Sequence, residues 1–128
     1  MRHNPAFLRL VEEVRSKVRE CSAEMLKEML TQSNPITIID VREDHEVQKG
    51  IIPGAIHLGR GILERDIESK ISDKDTEIVL YCGGGYRSAL AADNLQKMGY
   101  TNIWSLDGGI KAWTMGGNAL SPMELVKK

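Results

Sequence analysis

The sequence predicts a single α/β domain with a mainly parallel central sheet. Segments at 36–39 and 78–81 are apolar, as expected for buried strands, and shorter candidate strands lie at 56–57 and 103–106. Helical patterns alternate with these strands through short connections, which is typical of parallel strands joined by crossovers. A chain of 128 residues is an ordinary length for one domain that folds without a disulfide or a metal.

The N-terminal part is predicted to form two helices. Residues 5–19 are expected to be an amphipathic helix that packs on its own domain, and Ser22 is expected to cap a second helix over 23–31. The first prediction depends on apolar residues that recur on one helical face, namely Phe7, Leu10, Val11, Val14 and Val18.

The remaining elements follow from local patterns. Polar residues 43–49 are predicted to form a short helix, and the Gly- and Pro-containing segment 50–55 a loop. Helices are also expected at 62–71 and 88–98, and a last helix contains Trp113.

Composition excludes several classes of protein. Lys and Arg total 17 and Asp and Glu total 18, so a net charge of −1 argues against a dedicated nucleic-acid binder. No apolar run approaches the roughly 20 residues of a membrane span, and the N-terminus lacks a secretory pattern. A cytoplasmic protein is therefore expected, in which Cys21 and Cys82 are free thiols rather than a disulfide.

Cys82 is the strongest candidate for a reactive residue. It stands between a buried strand and a predicted helix start, where unpaired backbone N–H groups stabilise a thiolate or a bound anion. Three glycines follow it directly and allow the backbone to curl around the sulfur. Cys21 has no such loop and is expected to be structural. The predicted loop comprises Cys82, Gly83, Gly84, Gly85, Tyr86, Arg87 and Ser88.

Two further segments, 40–42 and 107–109, follow the ends of other strands. If those strands are parallel, both segments meet the cysteine loop at the edge of the sheet where ligands collect. Asp40 is expected to accept hydrogen bonds from the loop or from Arg42.

The basic side chains near this edge each allow two interpretations. Arg42 stands four residues before Glu46, so it either forms an ion pair or contacts substrate. Arg87 is expected both to bring positive charge to the pocket and to pair with an acid.

The size of the loop favours sulfur chemistry. Four residues separate Cys82 from Arg87, whereas cysteine phosphatases place five between the same two residue types and use the arginine to clamp phosphoryl oxygens. The smaller ring suits a single terminal sulfur on Cys82 better than a phosphoryl group. A phosphatase or arsenate reductase is therefore disfavoured.

Four motifs in this order and spacing resemble the single-domain rhodanese-type sulfurtransferases over about residues 22–117. They are Ile39-Asp40-Val41-Arg42 with Glu46, Gly50-x-Ile52-Pro53-Gly54-Ala55, Tyr81-Cys82-x-x-Gly85-x-Arg87-Ser88, and Leu106-Asp107-Gly108-Gly109 with Trp113. The resemblance implies a three-layer domain with a mainly parallel five-stranded sheet and helices on both faces. It divides the chain into an N-terminal helix packed on the domain at 1–20, the rhodanese-like domain at 21–120 and a tail at 121–128.

The resemblance also implies a function. A sulfane sulfur would pass from a small sulfur-containing anion such as thiosulfate, or from a persulfide, to cyanide or a thiol through a Cys82 persulfide. Residues 83–88 would hold that persulfide, Asp40 and Arg42 would support the loop or contact substrate, and no cofactor or metal is expected. The acceptor includes a protein thiol, neither nucleic acid nor membrane is a partner, and the chain is a monomer or homodimer. The alternative is a sulfur-relay or regulatory protein-binding module without efficient small-molecule turnover.

Two departures from the family pattern concern the rim of the site. Ile51 replaces the usual histidine of the Gly-His-Ile-Pro-Gly-Ala motif, and Val47 replaces an aromatic residue after Glu46. The loop also lacks a second basic residue between Cys82 and Arg87, although thiosulfate is a dianion. These features affect the identity of donor and acceptor more than the thiol chemistry.

Overall fold

A central sheet organises the fold in this computed structural model, which describes residues 3–123. Its five strands are all parallel and lie in the order β1-β5-β4-β2-β3. They are β1 Arg19–Cys21, β2 Thr37–Asp40, β3 Ile56–His57, β4 Ile78–Tyr81 and β5 Ile103–Leu106. The predicted α/β class with a five-stranded parallel sheet is confirmed.

Helices connect the strands and cover both faces of the sheet. They are α1 Pro5–Arg15, α2 Ala23–Met29, α3 Asp44–Val47, α4 Leu63–Lys70, α5 Tyr86–Lys97 and α6 Gly109–Met115. The predicted cap of α2 is confirmed, because the Ser22 hydroxyl accepts a hydrogen bond of 3.0 Å from the Met25 amide. None of the described helices is long and apolar enough to cross a membrane.

The alternation of side chains along β4 explains its unbroken apolar sequence. Ile78 and Leu80 join a cluster with α4 and α5, while Val79 and Tyr81 join a second cluster with α2 and α6. All four side chains are buried because each face of the strand is covered.

The N-terminal helix packs on α5. Val11 and Val14 are buried against Ala89, and Phe7 and Tyr86 extend the same contact. Helix α1 ends at Arg15, however, so the predicted helix over 5–19 was four residues too long. Its last predicted residue, Arg19, instead begins β1.

Strand β1 was missed because its own residues carry no strand pattern. Arg19, Glu20 and Cys21 show no apolar alternation, and they become a strand by pairing with β5 at the edge of the sheet. The tertiary neighbour, rather than the local sequence, decides their conformation.

The predicted domain boundaries at 20/21 and 120/121 stay predictions. Ser121 and Ile51 exchange backbone hydrogen bonds of 2.8 and 2.9 Å, which join the start of the predicted tail to the loop after α3. Residues 124–128 of that tail, and residues 1–2 of the N-terminal segment, lie outside the described residues.

Candidate active site

The Cys82 sulfur lies directly after β4 and accepts backbone hydrogen bonds. The Gly85 amide donates to Sγ at 3.1 Å and the Ser88 amide at 3.4 Å. Helix α5 begins at Tyr86, so the positive end of a 12-residue helix lies at the sulfur. These donors stabilise negative charge on Cys82 or on a group attached to it.

Two buried hydroxyls extend this arrangement beneath the sulfur. Ser88 Oγ lies 3.6 Å from Cys82 Sγ, and Ser88 Oγ and Ser105 Oγ share a hydrogen bond of 2.8 Å. Both serines have 0% exposure. Sequence reasoning missed Ser105, although a polar residue inside the otherwise apolar strand at 103–106 is a signal that could have found it.

The start of α6 fixes the peptide groups of the cysteine loop. The Ile110 amide donates to the Cys82 carbonyl at 2.9 Å, and the Lys111 amide donates to the Gly83 carbonyl at 3.3 Å. With their carbonyls held by α6, the loop peptides keep a fixed orientation at the sulfur. The segment 107–109 therefore meets the cysteine loop, as parallel strands require.

Two glycines make this close approach possible. Gly85 has a φ of +99° and Gly109 a φ of +58°, both in the region that favours glycine. A Cβ atom on Gly109 would lie 2.5 Å from the Cys82 carbonyl oxygen and 2.6 Å from that of Gly83. Any side chain there would separate α6 from the loop.

Arg87 forms a bidentate ion pair with Glu46 of α3. The two N–O distances are 2.7 and 2.9 Å. The hydrogen bonds from Arg87 lower the pKa of Glu46 to about 2, against the opposing effect of burial. The hydrogen bonds to Glu46 and, to a smaller extent, the neighbouring Cys82 sulfur raise the pKa of Arg87. Arg87 also lines the cavity that Cys82 lines, so its position fits both predicted roles, pairing with an acid and bringing positive charge to the pocket.

Asp40 and Arg42 form a separate buried pair at the end of β2. The Asp40 carboxylate accepts from the Arg42 backbone amide at 2.9 Å and from its guanidinium at 2.8 and 3.1 Å. Arg42 also donates to the Gly50 carbonyl at 2.7 Å, which ties the loop at 50–55 to β2. The ion pair of Arg42 with Glu46 that the spacing allowed is wrong, because Arg42 pairs with Asp40 and Glu46 with Arg87. Arg42 is buried away from the cavity that Cys82 lines, so the supporting role fits it better than substrate contact.

A cavity of about 610 Å³ leads to the sulfur. Cys82 is the only buried residue among the described residues that line it, so the sulfur lies at the inner end. The other lining residues belong to four segments of the chain. They are Gly83, Gly84, Tyr86 and Arg87 of the cysteine loop, Glu46 of α3, Gly108 just before α6 with Lys111, Ala112 and Met115 of α6, and His3 and Phe7 of the N-terminal segment.

Sequence reasoning did not assign five of these residues to the site, namely His3, Phe7, Lys111, Ala112 and Met115. Lys111 brings a second cation, which the loop itself lacks, and its position two residues after Gly109 could have indicated this. His3 and Phe7 reach the cavity because α1 packs on α5, a contact between distant segments that no local pattern reveals.

Cys21 lies on the opposite side of the sheet from Cys82. The two sulfurs belong to different core clusters and both thiols are free. Burial raises the pKa of the Cys21 thiol to about 12. Cys21 is thus a structural thiol, in agreement with its predicted role.

Comparisons with known proteins point to one family. The family model described as "Rhodanese-like domain" matches residues 22–115. A sulfurtransferase of Allochromatium vinosum is 33% identical over 100 residues, covering 78% of this chain and 92% of the relative. The thiosulfate sulfurtransferase GlpE of Shewanella oneidensis is 33% identical over 98 residues, covering 77% and 94%. A solved structure from Rhodopseudomonas palustris, a protein of unknown function described as a possible tyrosine phosphatase, matches with a TM-score of 0.79 and 27% identity over 94% of this chain and 99% of that one.

Proposed function

Because this chain belongs to the rhodanese-like domain family, we propose that it transfers a sulfane sulfur through a persulfide on Cys82. Relatives named as sulfurtransferases support sulfur transfer in general. The observation that carries the finer proposal is the Cys82 sulfur, which accepts N–H bonds from Gly85 and Ser88 at the inner end of an open cavity.

In the first step the Cys82 thiolate attacks the outer sulfur of the donor. The sulfur–sulfur bond of the donor breaks, its electron pair leaves with the remainder, and a new bond joins Sγ to the transferred sulfur. With thiosulfate the leaving group is sulfite, and with a persulfide it is a thiolate. The total negative charge is the same before and after the step.

The negative charge of a persulfide on Cys82 would lie next to the backbone N–H donors of the cysteine loop. The Gly85 and Ser88 amides donate to Sγ and the N-terminus of α5 lies beside it, so the charge of a persulfide would form next to donors that are already in place. The Arg87–Glu46 pair and the start of α6 hold the loop in that shape. Their role is to position the loop rather than to react.

In the second step an acceptor removes the terminal sulfur. Cyanide or a thiolate attacks it, the Sγ–S bond breaks, and the Cys82 thiolate returns. Splitting the transfer in two gives ping-pong kinetics. The step needs no cofactor or metal, and the free state of both cysteines fits a reducing compartment such as the cytoplasm.

Phosphate-ester hydrolysis is less well supported by this site. A phosphatase arginine must clamp two phosphoryl oxygens, but both terminal nitrogens of Arg87 already bind the Glu46 carboxylate. A relay or regulatory module remains the alternative function, and it shares the Cys82 persulfide if it carries sulfur.

Mass spectrometry tests the proposal. Intact protein incubated with thiosulfate or polysulfide should gain one sulfur atom, and cyanide should remove it. The gain should be absent in Cys82→Ser and retained in Cys21→Ala, the matched control. No gain with any sulfane donor would contradict sulfur transfer and leave a binding module. Turnover with cyanide or small thiols, set against transfer to protein thiols alone, separates the enzyme from the relay.

A further inference from the structure

We propose that the cavity wall formed by His3, Phe7, Tyr86 and Lys111 selects an organic persulfide with a carboxylate, rather than thiosulfate, as the sulfur donor. The inference rests on the proposed persulfide chemistry and adds the class of donor. Three independent features of the cavity support it: its size, its apolar surface and the Lys111 ammonium group among its described lining residues.

The cavity is larger than a small anion requires. Its volume of about 610 Å³ falls in the range of about 300–1,000 Å³ that is typical of sites for organic ligands. Thiosulfate, with two sulfur and three oxygen atoms, would occupy only its inner end. A donor with an organic group would fill the remainder.

The outer part of the cavity is aromatic and apolar. The His3 and Tyr86 ring centroids are 4.5 Å apart, those of His3 and Phe7 5.2 Å, and those of Phe7 and Tyr86 6.1 Å. Met115, which is 87% exposed, lines the same cavity. Apolar surface of this kind gains from contact with carbon atoms and gains nothing from a hydrated dianion.

Lys111 supplies charge at the cavity. Arg87 is engaged with Glu46, whereas Lys111 is exposed and makes no ion pair within residues 3–123. An ammonium group in this position attracts a carboxylate on the organic part of the donor while the persulfide end reaches Cys82.

The aromatic wall is held firmly by a helix that lies before the residues matched by the family model. Helix α1 precedes the matched residues 22–115. Its Val11 and Val14 are buried against Ala89 of α5, which fixes Phe7 beside Tyr86. A site built in this way is preformed rather than assembled by the ligand.

The reaction with such a donor balances without a further reactant. The Cys82 thiolate attacks the terminal sulfur of R–S–SH, the donor S–S bond breaks, and R–S⁻ departs while Cys82 carries S–SH. The organic group R occupies the outer cavity during the attack, and R–S⁻ then leaves before the acceptor binds. Sulfur moves without net oxidation or reduction of the protein and donor together.

The test measures persulfide formation on the full chain by quenched mass spectrometry with glutathione persulfide and with thiosulfate. The two donors differ in intrinsic reactivity, so the informative quantity is the ratio of their second-order rate constants. We expect Phe7→Ala to lower the ratio of glutathione persulfide to thiosulfate about tenfold. Met115→Ser, at an 87% exposed position at the end of α6, should lower it about threefold.

Controls separate this proposal from the one on which it rests. Leu8→Ala changes a 40% exposed neighbour on α1 that does not line the cavity, and it should keep the wild-type ratio. Lys111→Gln should slow loading from glutathione persulfide about threefold, and Lys111→Arg should restore it. A ratio unchanged in Phe7→Ala and Met115→Ser, or loading unaffected in Lys111→Gln, overturns the donor assignment alone. Absence of a Cys82 persulfide with both donors overturns the proposed function as well.

Discussion

At the scale of single residues, the Arg87–Glu46 pair shows how the site holds its shape. The carboxylate and guanidinium are about three-quarters and two-thirds buried, with side-chain exposures of 26% and 33%. They join α3 to the first turn of α5, at the end of the cysteine loop. The contribution of this ion pair to the free energy of unfolding therefore depends on whether Glu46 is ionised.

Glu46→Gln tests that dependence through pH. The folded-state pKa of Glu46 is about 2, below its ordinary value of 4.5, so its stabilising effect is complete above pH 4.5 and is lost as pH falls towards 2. Urea unfolding should show wild type more stable than the variant by about 1–2 kcal/mol at neutral pH, after allowance for solvent screening. The difference should shrink between about pH 4.5 and 2. A difference independent of pH would refute the assignment.

Ser105→Ala tests the hydroxyl beneath Ser88. The change removes the 2.8 Å hydrogen bond that orients Ser88 Oγ near the sulfur. We expect about 1 kcal/mol of lost stability and persulfide formation slowed about threefold. In a Ser88→Ala background the same change should have little further effect on rate, because its influence passes through Ser88. Additive effects of the two changes would show that Ser105 acts independently.

At the scale of elements, the contact between the α6 start and the cysteine loop depends on Gly109. Gly109→Ala places a methyl group against the carbonyl oxygens of Cys82 and Gly83 and forces a residue with a side chain to a φ of +58°. We expect a loss of about 2–4 kcal/mol of stability and loss of sulfur transfer.

Gly54→Ala is the matched control for that substitution. Its φ is +86° and no atom lies within 4 Å of the added Cβ, so only backbone strain of about 1 kcal/mol is expected. Urea unfolding and sulfur loading of both variants provide the comparison. Equal effects at the two glycines would mean that the steric contact at the loop is unimportant.

The sequence predicts an element well when local residues determine it, and poorly when tertiary contacts determine it. Strands β2 and β4 were predictable because burial on both faces gives them continuous apolar sequences. Strand β1 was not predictable, because its three residues form a strand only through pairing with β5 at the edge of the sheet. The cysteine loop was predictable from its glycines, whereas the contributions of Phe7 and Lys111 depend on how α1 and α6 pack.

At the scale of the whole molecule, the parallel sheet separates two thiols with different environments. Cys82 opens to the cavity, while Cys21 is buried in the core on the other face. Native protein treated with iodoacetamide should therefore gain one adduct, which Cys82→Ser abolishes, and unfolded protein should gain two. Native labelling of Cys21 at a similar rate would contradict this separation.

The parallel topology also brings three chain segments to one edge of the sheet. β2, β4 and β5 end there, and the segments after them supply the Asp40–Arg42 pair, the cysteine loop and the start of α6. The cysteine loop and the start of α6 thus surround the sulfur, while the Asp40–Arg42 pair fixes the neighbouring loop at 50–55. Sulfur transfer by this site requires that the Cys82 sulfur carry a second sulfur atom.

Diffraction from crystals of the sulfur-loaded protein tests this most directly. We predict anomalous density for one extra sulfur bonded to Cys82 Sγ, directed towards the amides of residues 83–88, and its disappearance after cyanide treatment. Loaded crystals in which the extra sulfur is bonded to Cys21, or in which Cys82 stays unmodified, would contradict the account.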